Sequence, residues 1–226
     1  MREKDNLQDF LLYIIKEFII TLKLMKNKSV AIICGDPKST FNEILIKTLK
    51  DNFFQKIKFP IIIICSEKIF KKELDKSKTK INLQKFNNFN NLDKKKINII
   101  DIPLDYKNLS LNKKKIYIKK SFEVGLKLIK EKRSFALING PISKTTFLKG
   151  KYNGITEYLA FKTGSLNEVM LIFNKKLSVS PITTHIPIHQ VTQKIKKKVI
   201  INKINIINAF YKKFFGFKPN IAVTGL

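Results

Sequence analysis

Apolar positions along this chain come in two rhythms. Short unbroken apolar runs occur at Val30–Cys34, Ile61–Cys65, Ile97–Ile102 and Phe135–Asn139, with Gly35, Pro103 and Gly140 punctuating three of them. Continuous runs of that length read as strands buried on both faces, as in a parallel sheet. Between them the spacing changes to that of amphipathic helices. Ile44, Leu45, Thr48 and Leu49 mark a helix over Asn42–Phe54, and Ile116, Phe122, Leu126 and Ile129 mark one over Lys113–Lys132. Residues 71–96, rich in Lys and Asn, read as a short helix and loops. Strand runs alternating with crossover helices predict an α/β fold.

Further along, Ile155–Thr163 reads as a helix with Gly164 at its C-cap. Val169–Phe173 and Leu177–Thr184 read as neighbouring strands, joined as a hairpin through residues 174–176. Val191–Phe215 reads as one long helix closed by Gly216 and Pro219, and Ile221–Val223 begins another strand. The strand ends at Cys34, Asn139 and Thr184 are expected to meet at one crevice, since ligands of open α/β sheets gather there.

The N-terminal stretch Leu7–Leu24 is apolar but broken by Lys16, Glu17 and Lys23. A bilayer span needs about 20 residues with few charges, so this is not one. It also lacks the small-residue cleavage site of a signal peptide. Residues 1–24 are therefore an N-terminal extension: an amphipathic helix packed on the domain, or a segment preceding a native start at Met25. The remainder, 25–226, forms the body of the protein, with its subdomain boundary left open.

Composition changes this picture in two places. The net charge of +28 suggests a polyanion partner, but only Arg2 and Arg133 are arginines among 45 basic residues. Nucleic-acid sites favour Arg, which grips phosphate and guanine with two parallel hydrogen bonds. Here lysines spread along the whole chain beside many Ile, Asn and Phe, a pattern that fits the codon bias of an AT-rich genome. Nucleic acid and membrane are accordingly not expected partners. Two cysteines, Cys34 and Cys65, close apolar runs; buried free thiols in a reducing cytoplasm explain them better than a disulfide framework.

Candidate chemistry is sparse. His185, in Thr183-Thr184-His185-Ile186-Pro187, stands at a strand end. It suits a divalent-metal ligand, although a lone histidine is more often structural. His189 lies one helical turn on, but Pro187 intervenes. Gly140-Pro141-Ile142-Ser143-Lys144 follows a strand and offers amides, a hydroxyl and an ammonium to an anion, or is a plain turn. The loop from Gly35 to Glu43 carries neither a dinucleotide-binding glycine fingerprint nor a Walker lysine, and no nucleophile elbow is present.

In order, these segments resemble the 4-hydroxythreonine-4-phosphate dehydrogenase family of pyridoxal phosphate biosynthesis. The resemblance rests on Gly35-Asp36-Pro37, on Asn139–Lys144 with Gly154-Ile155-Thr156-Glu157-Tyr158-Leu159-Ala160, and on Thr183–Ile188. The terminal Ile221–Leu226 matches the start of a segment that continues in the family into Asn-Pro-His.

The resemblance implies a fold like isocitrate and isopropylmalate dehydrogenases, with two α/β/α subdomains around a cleft, the second incomplete here. It implies a homodimer that oxidises 4-phosphooxy-L-threonine with NAD and releases CO2 to give 3-amino-2-oxopropyl phosphate. A divalent metal (Zn, Mg or Co) would acidify the alcohol and stabilise the enolate. Carried over, His185 is the first of three metal-binding histidines and Thr156 contacts substrate, with Ile155, Ser143 and Lys144 beside it. The other two histidines would follow Leu226, so the 226-residue chain is expected to be inactive alone.

Two departures stand out. Ile155 replaces a histidine of the family, and Lys38-Ser39-Thr40-Phe41-Asn42 replaces a glycine-rich loop. Both leave open a related dehydrogenase acting on another phosphorylated hydroxy acid.

Overall fold

The computed structural model describes residues 28–50, 57, 59–93, 95–148, 150–165, 167–174 and 176–225. The reading of residues 1–24 lies outside them. The described chain divides at residues 150/151 into two units.

The first unit is a parallel α/β sheet. Strands β1 (Ser29–Ile33), β2 (Ile61–Cys65), β3 (Leu83–Lys85), β4 (Ile97–Asp101) and β5 (Ser134–Asn139) lie in the order β3-β4-β2-β1-β5. Every ladder is parallel. Both β1 and β2 are buried along their whole length, as their continuous apolar runs require.

Helix α1 (Phe41–Lys50) packs on α2 (Glu67–Ser77), and α3 (Leu111–Lys130) lies against β1, β2 and β5. Gly125 lets α3 approach closely, because a Cβ there would come 2.8 Å from Leu137 and 2.9 Å from Ile33. Phe70 of α2 and Phe122 of α3 are the largest fully buried side chains. The 71–96 stretch is more ordered than its composition predicts, with a whole helix beginning at Glu67, strand β3 and a 3-10 turn at Phe89–Asn91. There Asn88 caps the turn by accepting from the amides of Asn90 and Asn91.

The second unit contains α4 (Ile155–Thr163), α5 (Ile188–Lys194) and α6 (Lys197–Phe215). Gly164 and Gly216 end α4 and α6 in the left-handed conformation, as expected. The two strands predicted over Val169–Phe173 and Leu177–Thr184 reduce to one antiparallel bridge, Ile172 with Val179. Side chains take the backbone bonds a ladder would have used. Ser178 Oγ donates to the Asn174 carbonyl, and Ser180 Oγ to that of Met170.

The single helix predicted over Val191–Phe215 is two helices, separated by Ile195 and an extended Lys196. Four lysines crowd positions 194–198, and their mutual repulsion opposes a continuous turn there. No strand forms at Ile221–Val223, where no described segment offers it a ladder. Aromatic packing of Phe173, Phe210, Tyr211 and Phe215 joins the bridge region to α6. Tyr211 Oη adds a hydrogen bond to Ser178 Oγ at 3.0 Å.

Candidate active site

In the first unit the chain leaves β1 toward β2 on one side, while β5 joins β1 on the other. The switch point of the sheet therefore lies between the C-terminal ends of β1 and β5, where open α/β sheets bind ligands. Gly35-Asp36 and Gly140-Pro141 meet there. The Asp36 amide donates to the Pro141 carbonyl at 2.8 Å, and the Gly140 amide to that of Ile33 at 2.7 Å. Neither glycine tolerates a side chain: a Cβ on Gly35 would lie 2.3 Å from the Pro141 oxygen, and one on Gly140 2.4 Å from that of Cys34.

Asp36 is held twice more, accepting from the Lys38 amide at 2.9 Å and from Lys114 Nζ of α3 at 2.9 Å. Behind this edge, hydrogen bonding with Cys34 and then burial push the Cys65 thiol well above its ordinary value. Burial likewise raises the Tyr117 phenol, whose oxygen accepts from the Ser66 amide. These groups are neutral and structural.

Ser143 and Lys144 follow β5 directly. Ser143 is half-buried and its carbonyl accepts from the Phe147 amide at 2.9 Å; Lys144 opens a π-helical turn, Lys144–Leu148, and is exposed. The turn thus leaves the ammonium of Lys144 in solvent.

In the second unit Gly154 caps α4, Ile155 and Thr156 begin it, and Glu157 completes its first turn. Thr184 Oγ1 donates to Glu157 Oε1 at 3.2 Å, tying the segment before His185 to α4. The other carboxylate oxygen, Glu157 Oε2, is shielded from solvent and has no hydrogen-bond partner among the described residues. His185 is exposed and has a left-handed φ of 51°. Non-glycine residues in that region concentrate at functional sites, where surrounding structure holds them. A Cβ on Gly154 would lie 2.8 Å from Glu157 Oε2 and 3.5 Å from both Cδ2 and Nε2 of His185. The bare Gly154 therefore lets a carboxylate oxygen and an imidazole edge close in on the start of α4.

Set beside known proteins, this arrangement has clear relatives. The family profile described as "Pyridoxal phosphate biosynthetic protein PdxA" matches residues 56–226. The chain belongs to that family. A 4-hydroxythreonine-4-phosphate dehydrogenase of Sulfurihydrogenibium sp. (strain YO3AOP1) is 35% identical over 205 residues, which cover 87% of this chain and 62% of that protein. A Bradyrhizobium diazoefficiens relative with the provisional name D-threonate 4-phosphate dehydrogenase is 30% identical over 109 residues, 47% of this chain and 32% of its own. The fold matches the crystal structure of 4-hydroxythreonine-4-phosphate dehydrogenase from Klebsiella pneumoniae with a TM-score of 0.70 at 23% identity, covering 84% of this chain and 60% of that one. This PdxA-family chain thus spans about 62% of the length of its Sulfurihydrogenibium relative.

Divalent metal finds only part of a site in the PdxA-family residues described. His185 offers an imidazole with no described hydrogen bond, and Glu157 Oε2 an unused acceptor. No group of three His, Cys, Asp or Glu side chains able to hold a metal occurs among the described residues. That donor set falls short of the three protein ligands of a catalytic site. Among the described residues His189, exposed in α5, pairs with the neighbouring Gln190 side chain.

An open groove of about 990 Å³ along the start of α6, lined by Asn167, Glu168, Lys197, Lys198, Asn202 and Lys203, contains none of the candidates read from sequence. Glu157 is the residue that sequence reading passed over. Its position in the first turn of α4, three residues after the cap, was the available signal.

Proposed function

We propose that this protein serves the NAD-dependent, divalent-metal-assisted oxidation and decarboxylation of 4-phosphooxy-L-threonine in pyridoxal phosphate biosynthesis. The observation that carries this reading is the convergence of Gly154, Glu157, Thr184 and His185 in a chain of the PdxA family. In the reaction, the secondary alcohol gives a hydride to NAD and a proton to solvent, and the resulting β-keto acid loses CO2.

Thr156 and Ser143 would offer hydroxyls to the substrate, and Lys144 would offer its solvent-exposed ammonium to the phosphate, a pairing favoured by charge-assisted hydrogen bonding. Ile155 would supply an apolar contact at this end of α4. His185 would contribute one metal ligand; the bound metal would stabilise negative charge on the substrate oxygen. Because the described donor set is incomplete, no step is derived through it. A homodimer, as in the resemblance, completes the proposed assembly.

Ile155 favours a second reading, a dehydrogenase acting on another phosphorylated hydroxy acid, which the provisional name of the Bradyrhizobium relative echoes. The test is NADH formation by the protein supplied with NAD, a divalent ion and each phosphorylated acid in turn. Turnover of 4-phosphooxy-L-threonine supports the first reading. Turnover of a different phosphorylated hydroxy acid alone supports the second.

A further inference from the structure

We propose that the groove at the start of α6 is a docking surface for an acidic, amphipathic segment of another protein. Lysines on its rim hold the carboxylates of that segment, and an apolar floor receives its hydrophobic side chains. The proposal does not depend on the substrate reading.

The charge of this part of the chain is uncompensated. No Asp or Glu follows Glu168, whereas lysines recur as far as Lys218. All ion pairs between described residues lie in the first unit. Lys196, Lys197, Lys198 and Lys203, which line the groove, therefore have no carboxylate partner among the described residues.

Helix α6 sharpens the excess. Its first turn carries no acid, and its cap, Lys196, makes no side-chain hydrogen bond to it. The N-terminal end of a helix bears partial positive charge, to which these lysines add. An arriving carboxylate relieves both sources of repulsion.

Shape and apolar content select among anions. Val199, Ile201 and Ile206 also line the open groove of about 990 Å³, and Ile201 is 47% exposed. Only Tyr211 of the helix is fully buried, so these side chains keep apolar surface to share. No arginine or aromatic ring lines the groove, whereas single-stranded nucleic acid binds by stacking its bases on aromatic rings along a basic channel. A flat bilayer surface would meet the lysine tips and miss the floor. An acidic segment with apolar side chains on one face meets both, as amphipathic helices do in hydrophobic grooves.

The experiment is fluorescence anisotropy with the full chain and a labelled synthetic peptide of Glu and Leu, the leucines at helical spacing, in physiological salt. A peptide of glutamate alone and a labelled oligothymidine are titrated beside it, and cosedimentation with phosphatidylserine vesicles is measured. Wild type should bind the Glu/Leu peptide about fivefold or more tighter than the glutamate peptide, because leucines bury against the floor. Reversing the rim together (Lys197→Glu, Lys198→Glu and Lys203→Glu) should weaken that peptide about tenfold or more, by lost attraction and new repulsion. Ile201→Ser should weaken it about threefold or more. Lys212→Glu with Lys213→Glu, at the far end of the same helix, should change it less than about threefold, since salt screens charges at that separation. Thermal unfolding checks that each variant folds.

No binding of the Glu/Leu peptide overturns the proposal, as does equal affinity for the glutamate peptide. Equal loss in the two lysine variants also overturns it, by showing attraction to net charge alone. Rim-dependent binding of oligothymidine or vesicles without binding of the Glu/Leu peptide assigns the face to nucleic acid or lipid instead. The two wild-type peptide affinities decide the matter even if a variant fails to fold.

Discussion

His185 is exposed, and its backbone is left-handed at φ 51°. The conformation costs a non-glycine residue about 1–2 kcal/mol, and a β-branched residue suffers most. His185→Val should therefore lower stability by about 1–2 kcal/mol in chemical denaturation, whereas His185→Gly should cost little or nothing. Equal loss in both variants would show that imidazole contacts, and not backbone strain, set the energy. Gly154 differs, because its φ of −161° is open to any residue and its constraint is space alone. Gly154→Ala places a methyl group 2.8 Å from Glu157 Oε2. The end of the glutamate side chain can swing away, so the substitution should weaken binding of 4-phosphooxy-L-threonine more than it lowers the melting temperature. Calorimetry and thermal unfolding on the same sample check this.

At the scale of elements, two backbone hydrogen bonds seam the loops after β1 and β5 at the switch point. Gly35 has a φ of 76° as well as a blocked Cβ direction, so Gly35→Ala should destabilise by at least about 2 kcal/mol. An alanine that leaves the urea midpoint unchanged would refute this packing.

The buried Cys65 thiol makes a pH prediction. Its folded pKa is raised above the ordinary 9.0, so the unfolded chain ionises first. The stability it contributes is present below about 9 and is lost as pH rises beyond it. The stability advantage of wild type over Cys65→Ala should thus shrink above that pH, and neither cysteine should react with a thiol reagent until the protein unfolds.

Continuous apolar runs made β1, β2, β4 and β5 legible to within a residue or two at their ends, although only β1 and β2 are buried along their whole length, β4 and β5 being partly exposed. The second unit was less legible. Whether Val169–Phe173 forms a ladder depends on Ser178 and Ser180 competing for carbonyls, and whether Val191–Phe215 is one helix depends on clustered lysine charge. Neither is a matter of period. His185 and Thr156 could be read as candidates, but the vacant oxygen of Glu157 could not, since vacancy is a property of neighbours in space.

For the whole molecule, charge and fold tell separate stories. A net charge of +28 sits on a sheet of ordinary α/β construction, and no helix among the described residues is long and apolar enough to cross a membrane. Any DNA binding should be weak, without a defined site size, and largely lost between about 50 and 200 mM salt; a sequence-selective complex surviving that rise would contradict the compositional reading.

The central claim is that ligand recognition gathers at Gly154–Glu157 and Thr184–His185. Titrating isotope-labelled protein with 4-phosphooxy-L-threonine and following backbone amides by NMR tests it most directly. The account predicts saturable shifts at those residues. Shifts confined to the lysine-lined groove at the start of α6, or none at all, would contradict it.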